Sequence, residues 1–86
     1  MISAKNIWQN TDETLHVGLL VLNDSNILSL AAAVDPMRAC NRRADQTLFS
    51  WQFLALNGKE VSLTSGITLQ AEHISSFTGD LLILVA

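Results

Sequence analysis

Leu15–Arg43 reads LHVGLLVLNDSNILSLAAAVDPMRACNRR, and the change of hydrophobic period inside it decides the fold. Leu15–Leu22 (LHVGLLVL) is too continuously apolar for a half-buried strand, which would alternate, and it reads as a strand buried on both faces. The run ends in Asn23-Asp24-Ser25-Asn26, a cluster of turn and helix-capping residues. From Ile27 to Arg43 the period turns helical, with Ile27, Leu30, Ala31, Val34 and Met37 near one face at steps of three and four. Leu28, Ala32 and Ala39 make a second flank apolar, which predicts a helix covered on more than one side. Asn26 or Ser25 can accept from the free amides of the first turn, and Arg42 and Arg43 suit the negative carboxyl end. Pro36 lacks a donor and clashes with the carbonyl four residues back, so a kink, or a fresh turn capped by Asp35, is expected there.

Outward from this unit, Leu48–Leu56 (LFSWQFLAL) is β-rich, with Phe49, Trp51 and Phe53 on one alternating face. Asn57-Gly58 is a hairpin turn signal, and Val61, Leu63 and then Ile67, Leu69 supply two short alternating runs around Ser65-Gly66. A polar connection, Glu72–Asp80, leads to Leu81–Ala86 (LLILVA), read as another doubly buried strand. The order strand, helix, strand, hairpin, connection, strand is the start of an open α/β sheet. One helix cannot cover both faces of such a sheet, so further chain or other copies of this chain must supply the rest. Ahead of the first strand, residues 1–14 (MISAKNIWQNTDET) form a polar tail or docking arm in which Ile7 and Trp8 offer the apolar surface.

Composition points to the same deficit. A chain of 86 residues permits one small domain, which buries roughly 60–65% of its unfolded surface. Its residues are 49% hydrophobic and 15% charged, against about 25% charged in an ordinary soluble domain. A net charge of −3 and a pI near 5.0 give no general attraction to phosphate backbones, so this segment is not by itself a nucleic-acid binder. The single cysteine, Cys40, excludes an intramolecular disulfide and a multi-cysteine zinc site, and fits a reducing compartment or one indifferent to redox state. No apolar run approaches the length of a membrane span, and residues 1–14 lack a secretory signal. A cytoplasmic location, no membrane partner and no cofactor are expected.

Each candidate residue has a structural and a functional reading. Asn23, Asp24, Ser25 and Asn26 stand at the carboxyl end of the first strand, outside which open α/β sheets bind ligands, and Ser29 would face the same cleft. The same residues can simply close the turn and cap the helix. No glycine-rich dinucleotide fingerprint is present. Arg38, Arg42 and Arg43 could hold an acidic effector or a partner subunit, or could stabilise the helix end unaided. Trp8, Phe49, Trp51 and Phe53 are possible interface aromatics, with core packing the simpler account of Trp51 and Phe53. Cys40, late in the helix, lacks the positive surroundings that activate a thiol. His16 and His73 have no second ligand at metal-site spacing.

Together, VGLLVLNDSNILSLAAAVDPMRACNRR (17–43), FSWQFLALNGKEVSLTSGITLQ (49–70) and GDLLILVA (79–86) resemble the first half of a DJ-1/PfpI-type domain, the class I glutamine amidotransferase-like group. More narrowly they resemble the N-terminal domain that AraC-type transcriptional regulators carry ahead of a helix-turn-helix reader. The resemblance implies an α/β fold, the first half of a doubly wound, mostly parallel, flavodoxin-like sheet with a β-hairpin, over residues 15–86. It implies that the rest of the domain and any helix-turn-helix lie beyond Ala86. Enzymes of the superfamily place a nucleophilic cysteine on the turn expected there and a glutamate early in the first helix. By spacing from Asp35, Ser29 occupies the glutamate position, and a serine cannot hold a protonated carboxyl beside a thiolate. The implied role is a non-catalytic module that senses a small metabolite, forms a homo-dimer or higher oligomer, and meets DNA only through a C-terminal domain. A fragment of a DJ-1/PfpI-like amidase, peptidase or glyoxalase is the alternative, marked by a cysteine just past Ala86. A stand-alone α/β protein that pairs into an obligate dimer is a third reading.

Overall fold

The structure, a computed structural model, describes residues 13–86. Its elements are β1 (Leu15–Val21), α1 (Ile27–Ala44), β2 (Phe49–Ala55), β3 (Glu60–Ser62), β4 (Thr68–Gln70), β5 (Glu72–His73), a 3-10 turn (Ile74–Ser76) and β6 (Leu81–Val85). Four strands make one sheet in the order β5-β2-β1-β6, every neighbouring pair parallel, while β3 and β4 form a separate antiparallel hairpin. The chain leaves β1 for β2 on one side and returns to β6 on the other. That is the opening of a flavodoxin-like doubly wound sheet, as expected.

Register sorts the side chains. Val17 pairs with Trp51 and Leu81, and Leu19 with Phe53 and Ile83, so odd-numbered residues share one face. On that face Val17, Leu19, Val21, Ala55 and Val85 join Leu30 and Met37 of α1 and Val61 and Leu63 of the hairpin region in one buried cluster. Ala33, Val34 and the aromatic row Phe49, Trp51 and Phe53 pack against it half-buried. The helix is anchored at both ends. Asn26 accepts from the Leu28 amide, and Asp45, in the left-handed conformation at φ 54°, returns its N–H to the carbonyls of Arg42 and Asn41.

The even-numbered face carries His16, Gly18, Leu20, Ser50, Gln52, Leu54, Leu82 and Leu84. The connection read as a polar linker is a strap across it, with Phe77 as its anchor. A Cβ on Gly18 would lie 2.8 Å from both the Phe77 ring and Leu54 Cδ1, and one on Gly79 would lie 2.5 Å from the Phe77 ring. Both positions therefore require glycine to seat the aromatic ring. Asp80 locks the strap to β1: its N–H donates to the His16 carbonyl at 2.7 Å, and its Oδ2 accepts from the His16 N–H at 2.9 Å.

Four expectations need correction. β6 is an edge strand, not a doubly buried one: Leu82 is 46% and Leu84 62% exposed, because nothing among the described residues covers them. α1 runs through Pro36 as one helix, so of the two alternatives expected there the fresh turn does not form. Ala32, Asp35 and Pro36 all lie on its exposed flank, where water can serve the carbonyl that the proline leaves without a donor. Asp35 caps no new turn; it pairs with Arg38 at 3.4 Å. The apolar second flank of the helix is open too, Leu28 being 74% exposed. Asn57-Gly58 turns the chain, with Gly58 at φ 71°, but closes no hairpin, because β2 already has β1 and β5 on its two edges. The hairpin is β3–β4, turning at Gly66 with φ 89°.

Gly18→Ala forces the added methyl group into Phe77 and Leu54. Overpacking of this kind costs about 1–3 kcal/mol, and each kcal/mol lowers Tm by roughly 4–8 °C in a domain of this size. Thermal unfolding followed by circular dichroism measures it, and an unchanged Tm would refute the two-glycine seat.

Candidate functional site

In sheets of this topology ligands bind beyond the carboxyl ends of the strands, at the point where the strand order reverses. Here that point lies between β1 and β6. The loop Leu22–Asn26 is built at it, from residues whose short polar side chains satisfy a sharply turning backbone. Asp24 adopts φ 65°, a left-handed conformation that Asp tolerates because its side chain is short. The Asp24 N–H donates to the Ser62 carbonyl at 2.7 Å, and Asn23 Oδ1 accepts from the Ser62 N–H at 3.1 Å.

Ser25 is the centre of the loop and is 1% exposed. Its hydroxyl lies 2.5 Å from the Leu22 carbonyl and 3.1 Å from the Val85 carbonyl, so one proton is shared by two acceptors at the ends of β1 and β6. Its own carbonyl accepts from the Thr64 N–H at 3.1 Å, and the Leu22 N–H donates to the Val85 carbonyl at 3.1 Å. Asn26 then caps α1, its Oδ1 accepting from the Leu28 N–H at 2.7 Å. One short loop thus ties β1, β6, the hairpin and the helix together.

This geometry separates the candidates. Asn23, Ser25 and Asn26 spend side-chain polar atoms on backbone groups, whereas Asp24 and Ser29 are exposed. The adjoining cleft, between Leu22, Asn23, Leu56, Asn57 and Glu60, holds about 70 Å³. Ligand pockets begin at roughly 300 Å³. The described residues therefore form a shallow cleft here rather than a closed pocket.

The remaining candidates are dispersed. Arg38 is engaged with Asp35 on the exposed side of α1, and Arg42 and Arg43 sit exposed in its last turn, where positive charge suits the helix end. Trp8 lies outside the described residues. Cys40 is a half-buried free thiol. The two histidines serve separate elements: His16 Nδ1 meets Ser50 Oγ at 2.5 Å, and His73 Nδ1 accepts from the Ser75 N–H at 3.1 Å. Among the described residues no group of three potential metal ligands comes together. Nor is any described helix long and apolar enough to cross a membrane.

Asn41 does a structural job that sequence reasoning missed. Its Oδ1 accepts from the Leu48 and Phe49 N–H groups at 2.8 and 2.9 Å, and its Nδ2 donates to the Phe49 carbonyl at 2.8 Å, fastening the helix end to the start of β2. The available signal was a polar residue continuing the inward series Leu30, Val34, Met37.

No family model matches the sequence. Over 53 residues, 62% of this chain, it is 34% identical to the HTH-type transcriptional regulator GbdR of Pseudomonas aeruginosa, in strain UCBPP-PA14 and equally in strain PAO1. That stretch is 14% of the relative, so the chain spans a small part of the length of the curated regulators it matches. The fold is similar to the crystal structure of an AraC family transcriptional regulator from Pseudomonas putida. The TM-score is 0.71 at 26% identity, covering 84% of this chain and 46% of that one. In sequence and in fold, the chain is thus similar to transcriptional regulators of the AraC type.

Ser25→Ala removes the shared hydroxyl from a buried site, while Ser29→Ala alters an exposed one. Urea unfolding is expected to show a loss of about 1 kcal/mol for the first and a change within about 0.5 kcal/mol for the second. Equal effects would contradict the central place of Ser25 in the loop.

Proposed function

We propose that this chain is part of the N-terminal, non-catalytic sensing domain of a bacterial AraC-type transcriptional regulator, built on a DJ-1/PfpI-like sheet. The observation that carries the reading is the match of 84% of the chain to an AraC family regulator at a TM-score of 0.71. In this reading the Leu22–Asn26 loop and Ser29 form one wall of a metabolite site, and polypeptide beyond the described residues forms the other. Exposed Leu82 and Leu84 on β6 support that division, since an apolar sheet face of this kind is built to be covered. The cover is further chain or a second copy, which is where oligomerisation enters.

Two features support a regulator over an enzyme. Ser29 stands where the resemblance puts a catalytic glutamate, and its hydroxyl cannot supply that acid's chemistry. The net charge of −3 makes this segment a poor reader of phosphate backbones, so DNA contact is assigned to a different part of the protein.

Gel-shift titration of the full-length protein against the DNA upstream of its own gene tests the reading. The full-length protein binds with an affinity that falls as salt rises, and residues 1–86 do not bind. DNA binding by residues 1–86 alone, or none by the full-length protein, would overturn the assignment. Ser29→Glu, in turn, is expected to give no amidase, peptidase or glyoxalase turnover; measurable turnover would restore the enzymatic alternative.

A further inference from the structure

The even-numbered face of the sheet is divided. Toward the carboxyl ends of the strands it is apolar, with Leu20, Leu54, Leu82 and Leu84; toward the amino ends it carries His16, Ser50 and Gln52. Thr78, on the strap, joins these three around a cavity of about 290 Å³. We propose that this cavity is a binding site for a small, uncharged, polyhydroxylated molecule, separate from the cleft at the carboxyl ends and independent of the regulator reading.

The cavity is pre-organised from several directions. Its rim, Thr78-Gly79, is held between the Phe77 ring, seated on Gly18 and Gly79, and the paired bonds of Asp80 to the His16 backbone. Its floor is sheet: His16 and Ser50 are register partners across β1 and β2, and His16 Nδ1 meets Ser50 Oγ at 2.5 Å, which fixes the imidazole. A site whose groups are already held in place loses less freedom on binding. Its volume is close to the lower limit for ligand pockets, so it suits a small metabolite.

The lining selects the chemistry. The Thr78 hydroxyl and the Gln52 amide each both donate and accept, as every hydroxyl of a polyol does, and the Ser50 hydroxyl, engaged with His16, keeps one role. Among the described residues no lysine or arginine lines the cavity to receive an anion. The neighbouring carboxylate, Asp80, accepts from the His16 N–H and does not line the cavity. An ion entering here would give up water without gaining an opposite charge, whereas a neutral polyol exchanges hydrogen bonds one for one.

The test uses the full-length protein with xylitol, succinate and putrescine as probes, followed by isothermal titration and by amide chemical shifts in 1H–15N spectra. Xylitol is expected to bind saturably, with shifts at His16, Ser50, Gln52 and Thr78, and the two ions at least tenfold more weakly. Gln52→Leu and the exposed Thr78→Val are each expected to weaken xylitol at least tenfold with the native spectrum retained; Thr78→Val keeps the test intact if the sheet variant misfolds. Absence of saturable xylitol binding, tighter binding of either ion, or indifference to Thr78→Val would overturn the proposal. So would loss of xylitol binding in Asn23→Ala with Thr78→Val unaffected, an outcome that would place the polyol in the carboxyl-end cleft and leave the regulator reading standing.

Discussion

β1 is hydrogen-bonded along both edges and buried on both faces from Val17 to Val21, and the rest of the chain is arranged around keeping it dry. A parallel strand in this position cannot expose either face to water without losing apolar burial, at about 25 cal/mol for each Å² left wet. α1 covers the odd-numbered face through Leu30, Val34 and Met37. On the even-numbered face Phe77 packs over Gly18 while Leu20 and Leu54 are also buried, and the shelter within the described residues ends short of β6. Leu82 and Leu84, on the strand next to β1, lie beyond it.

The same constraint explains why the loop after β1 is so heavily bonded. A strand sealed on both faces must hand the chain to a helix on one face within a few residues, and each turning backbone group needs a partner. Asn23, Ser25 and Asn26 provide them, with Ser25 also reaching the end of β6. The structural and functional accounts of this loop are therefore not rivals. This densely bonded loop is set at the reversal of strand order, and Asp24 and Ser29 remain exposed.

Much of the architecture was legible because local chemistry decides it. The shift from the continuous run Leu15–Leu22 to a helical period at Ile27 located β1 and α1, and Asn26 and Ser25 were both cap candidates, of which Asn26 serves the first-turn amide. Phe49, Trp51 and Phe53 alternate as a strand must, and Ser65-Gly66 marked the β3–β4 turn. What stayed hidden depends on residues distant in sequence. Phe77 looked like part of a polar linker because its seat is Gly18, on another strand. His16 and Ser50, 34 residues apart, meet only through the parallel register of β1 and β2. Asn57-Gly58 carried a genuine turn signal, but whether a turn closes a hairpin depends on free strand edges, and β2 has none. Pro36 failed to break α1 because its flank faces solvent, which periodicity alone did not reveal for a helix apolar on two sides.

Hydroxyl-radical footprinting of Leu82 and Leu84, on residues 1–86 and on the full-length protein, tests most directly whether the sheet needs cover that the described residues do not supply. Both leucines are expected to oxidise readily in the short chain and to become protected in the full-length protein. Equal, high reactivity in the two forms would mean that the face is meant to be wet, and the picture of a sheet awaiting its second layer would be wrong.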